Sequence, residues 1–152
     1  MKQPMPADLG FRRRVHDSFA RQEVMATLGA TLEVADAGRV VIVMPHKPAL
    51  SQQHGFLHAG IVATALDSAC GYAAFSLMPA DAAVLTIEFK VNLLAPARGP
   101  WFRFEGLVTK AGRTIKLPAD RNGIVQFSLP AGDIGCTYIP FDGAGGIETG
   151  TG

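Results

Sequence analysis

The run from Ala59 to Leu77 constrains this chain more than any other stretch. Ile61, Val62, Leu66, Phe75 and Leu77 lie among small residues, and Asp67 is the one charged side chain in a segment apolar almost all round. A helix of that kind is buried inside a protein. It does not suit a bilayer span, which needs about 20 uninterrupted apolar residues; Asp67 interrupts it and Met78-Pro79 ends it. One stripe at helical spacing consists of Gly60, Ala63, Thr64, Asp67, Cys70, Gly71 and Ala74. Side chains this small let a neighbour come close to the helix backbone.

Strands flank that helix. Phe11 to Leu28 reads as a single helix that stops at Gly29, with the Arg12-Arg13-Arg14 triplet as a solvated face rather than an anion site. Thr31–Val34 and Arg39–Met44 read as a hairpin turning at Ala37-Gly38. Val84 to Leu93 alternates, Leu85, Ile87, Phe89, Val91 and Leu93 facing one way and Thr86, Glu88, Lys90 and Asn92 the other. Trp101 to Thr109 alternates again, and weaker strand patterns lie at Ile124–Leu129 and Ile134–Ile139. Hairpin-length links imply an antiparallel sheet, and a helix apolar all round needs a curved sheet wrapped about it. The expectation is an α+β chain similar to a hot-dog fold. A single domain would span residues 1–142, with a flexible tail over 143–152.

Composition narrows the function classes. Hydrophobic residues make up 48% and charged residues 18%, ample for a core. A net charge of +1 gives no electrostatic support to a nucleic-acid role. So few charges suggest that a partner subunit covers part of the surface. Cys70 and Cys136 are too few for a zinc ribbon or a disulfide framework. The first residues lack the apolar core of a signal peptide. The expectation is a soluble cytoplasmic protein, not membrane-bound, with both thiols reduced.

Asp67 carries the chemistry. A carboxylate within an apolar helix must be paired, hydrogen-bonded or open to water, because an isolated buried charge costs several kcal/mol or more. It is either a structural aspartate bonded to a neighbouring strand or a catalytic base, and its place on the small-residue stripe favours catalysis. His54 and His58 are four apart, but no H-E-x-x-H motif or third ligand accompanies them, so no metal is expected. At the helix start, the amides of Ala59 and Gly60 can receive a developing oxyanion. Asp67 lies eight residues beyond Ala59. That is about 12 Å along a helix, whereas a base must reach within roughly 3 Å of the reacting atoms or of one bridging water. One straight helix cannot supply both groups to one carbonyl. Two copies can, which sets the site at a twofold dimer interface.

Gln52-Gln53-His54-Gly55-Phe56-Leu57-His58-Ala59-Gly60, followed by Asp67-Ser68-Ala69 and Gly71-Tyr72-Ala73-Ala74, resembles the PaaI-like branch of hot-dog acyl-CoA thioesterases. In that family an H-G-G helix start precedes an aspartate nine residues after the histidine, a spacing that His58 and Asp67 match. The resemblance runs on through Thr86 to Arg98 and Lys110-Ala111-Gly112-Arg113-Thr114-Ile115, covering about residues 10–115. It implies an enzyme without a cofactor, acting on an acyl-CoA substrate as a homodimer or dimer of dimers. By the same resemblance, Asp67 activates water or attacks the thioester directly, and the Ala59 amide is the oxyanion donor where relatives have glycine. His58 positions the thioester, while Gln52, with Gln53 as its neighbour, stands where relatives carry an amide side chain. Thr86 lines the site, and Arg98, Lys110, Gly112 and Arg113 resemble the segments that contact coenzyme A. Specificity then depends on side chains such as Phe56, Leu57, Tyr72 and Phe75.

From about residue 116 the family pattern fades. Leu117-Pro118-Ala119-Asp120 interrupts the next expected strand, because proline cannot donate to a central ladder. A divergent hairpin and a segment translated in a shifted frame both fit. The altered Ala59 and this C-terminal part leave open a binding protein that holds an acyl thioester without hydrolysing it. A hot-dog dehydratase is a further alternative, needing a histidine–carboxylate pair.

Overall fold

The computed structural model describes residues 5–86 and 89–108, together with the backbone of Thr114–Ile115, Leu129–Pro130 and Ile134–Phe141. Helices α1 (Phe11–Ala20) and α2 (Glu23–Leu28) precede strands β1 (Thr31–Asp36) and β2 (Arg39–Pro45). The long helix α3 (Ala59–Phe75) follows, then β3 (Trp101–Val108), β4 (Thr114–Ile115), β5 (Leu129–Pro130) and β6 (Ile134–Phe141). The main sheet has the order β1-β2-β3-β6 with every neighbouring pair antiparallel, and β4 pairs β5 separately. Register explains the core. Val40, Ile42 and Met44 sit opposite Gly106, Phe104 and Phe102, and all of these apart from the glycine are fully buried. They form one apolar cluster with Val62, Ala65, Leu66, Ala69 and Ala73 of α3. The long helix thus lies across one face of an antiparallel sheet, as expected of the hot-dog arrangement.

Gly106 makes the close approach possible. A Cβ there would collide with the Ala69 carbonyl and come within 2.7 Å of the Cys70 nitrogen, so only a glycine lets β3 pass under α3. At the far end of α3, Ser76 is fully buried and its hydroxyl accepts from the Gly38 amide at 2.7 Å, tying the helix to the β1–β2 turn.

The structure corrects several expectations. Phe11–Leu28 is two helices, because Gln22 leaves the helical region (φ −84°, ψ 90°). Its carbonyl accepts from Met25 at 2.9 Å to start α2, and its side-chain oxygen accepts from Ser68 of α3 at 3.2 Å. Gly29 ends α2 as expected, with φ 71°. The arginine triplet is not simply solvated. Arg12 pairs with Asp36 and Arg13 with Asp17, while Arg14 pairs with Asp8 at 3.0 Å and donates to the carbonyls of Phe75 and Met78. The Gly10 amide and then Arg14 hold the Asp8 carboxyl below the usual carboxylate range. Cys70 is disulfide-bonded, contrary to the expectation of reduced thiols.

The alternating segment 84–93 joins no strand among its described residues. A strand needs a ladder partner, and β6 rather than this segment flanks β3. Leu85, Phe89 and Leu93 therefore remain 51%, 53% and 46% exposed. Nor is α3 enclosed on all sides: its small-residue stripe is exposed or half-buried at Gly60, Ala63, Thr64, Asp67, Cys70 and Gly71, though its last member, Ala74, is buried along with Val62, Ala65, Leu66, Ala69 and Ala73. Most of the segments expected at 110–128, and the tail at 143–152, lie outside the described residues. Among the described residues, no helix is long and apolar enough to cross a membrane.

Candidate active site

The start of α3 is built by its own cap. His58 stands just before the helix with extended backbone (φ −63°, ψ 135°), and its Nδ1 accepts from the Gly60 amide at 2.9 Å. A ring nitrogen that accepts carries no hydrogen, so the neutral ring bears its hydrogen on Nε2. The His58 carbonyl accepts from Ile61 at 2.9 Å and from Val62 at 3.2 Å. Of the opening amides of α3, Ala59 alone has no acceptor among the described residues. The expected pair of open amides thus narrows to one, and Gly60 serves the cap.

Ala59 opens onto an apolar groove of about 410 Å³. One wall is the turn that carries Gln52, Phe56 and Leu57, and the other is Leu93 to Ala97, with Val62 of α3 beneath. The turn folds tightly: Gln52 donates from its amide to the Phe56 carbonyl at 2.8 Å, and its side-chain oxygen accepts from the His54 amide. Gly55 has φ 83°, a conformation that favours glycine. Gln53 and His54 are exposed, and neither lines the groove. Among the described residues, no group of three histidine, cysteine or carboxylate side chains could hold a metal.

Asp67 lies elsewhere on the helix, within the half-buried stripe. The Thr86 hydroxyl donates to its Oδ1 at 2.7 Å. Val84 passes the same stripe at Gly71, so the segment after α3 runs back along the open face. Thr86 therefore touches the carboxylate itself. Asp67 is not part of the groove lining, and among the described residues no cation pairs with it.

Arg98 is exposed, and its guanidinium lies 5.0 Å from the centre of the Phe56 ring. Lys110, Gly112 and Arg113 lie outside the described residues. Phe56 and Leu57 line the groove as the sequence suggested, but Tyr72 and Phe75 do not. Tyr72 is buried beside Phe19 and bonded to Ser18, and Phe75 packs under Arg14. Leu93, Leu94 and Pro96 were missed as wall residues; the apolar pair next to a proline-bounded turn was the available signal.

Residues 54–115 match the model of the Thioesterase superfamily. A relative from Saccharolobus solfataricus bearing an esterase name is 35% identical over 105 residues, 68% of this chain and 74% of that protein. The crystal structure of a thioesterase family protein from Silicibacter pomeroyi shares 54% identity over 85% of this chain and 93% of its own, with a TM-score of 0.68. PaaI of E. coli, from the phenylacetic acid degradation operon, superimposes with a TM-score of 0.62 at 19% identity, covering 68% of this chain and 74% of its own; this shows the shared fold. On these grounds, the chain belongs to the thioesterase superfamily and has the hot-dog fold of PaaI.

Proposed function

We propose that the protein hydrolyses acyl-CoA thioesters to the free acid and coenzyme A, at a site that two copies of the chain build together. The acyl group lies in the apolar groove of one copy, and its carbonyl oxygen accepts from that copy's Ala59 amide. Asp67 of the second copy takes a proton from water as the water oxygen adds to the carbonyl carbon. Collapse of the tetrahedral intermediate breaks the C–S bond, and the thiolate leaves to be protonated as coenzyme A. His58, with its hydrogen on Nε2, donates to the thioester, and Thr86 keeps Asp67 aimed. Gln52 forms the polar end of the groove, and Arg98 lies where a phosphate of coenzyme A can meet it.

One observation carries this reading: an open Ala59 amide at an apolar groove, with the hydrogen-bonded Asp67 on the open stripe of the same helix but outside that groove. A positioned base is worth roughly 10²–10⁴ in rate. Asp67→Asn removes the base while keeping shape, and Thr86 can still donate to its amide oxygen. Free thiol released from a panel of acyl-CoA substrates should fall by at least about 100-fold in that variant, with the oligomeric state unchanged by ultracentrifugation. Undiminished turnover would exclude Asp67 as the base. Tight acyl-CoA binding without thiol release in the unmodified protein would instead favour a binding protein.

A further inference from the structure

The walls of the groove are fastened to each other beside Phe56, the one aromatic side chain of its described lining. Gly55 donates to the Gln52 carbonyl at 3.0 Å, and Ser51 bridges Leu57 across the base of the turn. The Leu57 amide then donates to the Ala97 carbonyl at 3.0 Å, which ties this turn to the opposite wall. From that wall Arg98 reaches over the Phe56 ring at 5.0 Å. Phe56 cannot swing aside without losing this contact. Gln52 is the only polar side chain along the described lining.

We propose that Phe56, clamped by Arg98, sets the largest acyl group the site accepts, and that its preferred substrates are thioesters of short, neutral, apolar acids. This rests on the reaction proposed above and specifies its substrate class. A groove of about 410 Å³ is at the low end for a small-molecule site. Arg98 stacks on the Phe56 ring and is not itself part of the lining, so a charged acyl end would meet no counter-charge among the described lining residues, and a dicarboxylic thioester is disfavoured. Each further methylene that finds room to be buried favours binding about four-fold. A wall that moves back therefore reads out as a change in chain-length preference.

The test measures kcat/KM by thiol release for acyl-CoA substrates from acetyl to dodecanoyl, with succinyl-CoA as the charged case. Phe56→Ala should raise the decanoyl-to-butyryl ratio by roughly ten-fold. Arg98→Gln, at an exposed position, should raise the same ratio by about three-fold, as expected for losing one cation–π contact, and Arg98→Lys should stay near the parent. Unchanged ratios in active Phe56→Ala and Arg98→Gln proteins overturn the inference while leaving the hydrolysis intact. An equal loss at every chain length in Arg98→Gln, with the ratio unchanged, leaves Arg98 as the phosphate contact alone and overturns the clamp. Succinyl-CoA turned over as well as butyryl-CoA overturns the neutral substrate class. An unmodified protein that releases no thiol from any member of the panel overturns the hydrolysis and this inference together.

Discussion

His58 holds two positions in one side chain: Nδ1 caps α3 through the Gly60 amide, and Nε2 carries the hydrogen that can meet a substrate. The two roles separate experimentally. His58→Ala removes the cap and should lower stability by about 1 kcal/mol, read by urea unfolding, as well as slowing turnover. Asparagine is also a strong N-cap, so His58→Asn should recover most of that stability without recovering turnover. Full recovery of both would reduce His58 to a cap. Thr86 is a positioning residue through its 2.7 Å bond to Asp67. Thr86→Val should lower kcat by roughly ten-fold at constant KM, the pattern of a loosened base, and Thr86→Ser should restore it. The places of Asp67 and of the helix start at Ala59 were readable from pattern, because one charged residue in an apolar run and one helix end are local features, while the roles expected of them at a thioester came from the family resemblance. Thr86 as the partner of Asp67 was not, since nineteen positions separate them and only the returning chain brings them together.

Elements were readable where their burial depends on neighbours in sequence, and misread where it depends on something else. The β1–β2 hairpin and β3 follow from alternation and a turn, and α3 from a long apolar run that only Asp67 interrupts. Phe11–Leu28 kept a helical pattern through Gln22, yet that residue bonds to Ser68, a contact no local pattern reports. Val84–Leu93 has the alternation of a strand but finds no ladder partner among the described residues, so the pattern of its exposed Leu85, Phe89 and Leu93 describes a surface to be covered. Gly106 belongs to the same class: an unremarkable glycine in sequence, it is where β3 and α3 touch backbone to backbone. Gly106→Ala should cost about 1–3 kcal/mol, the usual penalty of overpacking, or more if α3 cannot lift. Thermal unfolding checks this; a melting temperature within a degree of the parent would mean that β3 and α3 separate freely.

At the scale of the whole molecule, the proposed division of the site between copies makes a prediction of its own. A lone chain keeps the Ala59 groove and Asp67 apart on one helix, about 12 Å by the helical rise, and leaves the small-residue stripe and the row of Leu85, Phe89 and Leu93 open. A second copy on that face can cover the apolar row and bring its own Asp67 to the first copy's groove, at no cost in new chemistry. Complementation tests this directly. Ala59→Pro deletes the one open amide, and proline at the first helical position is well tolerated; His58 before it is already extended, as a residue preceding proline must be. Homodimers of Ala59→Pro and of Asp67→Asn should both be nearly inactive. In a mixed dimer, however, the intact groove of the Asp67→Asn chain meets the intact carboxylate of the Ala59→Pro chain, while the other site carries both defects. Random pairing after co-refolding makes half of the dimers mixed, each with one working site, so activity should return to about a quarter of the parent value. If each chain supplied both groups to its own site, neither mutant chain would hold a complete set, and the mixture would stay as inactive as its parts.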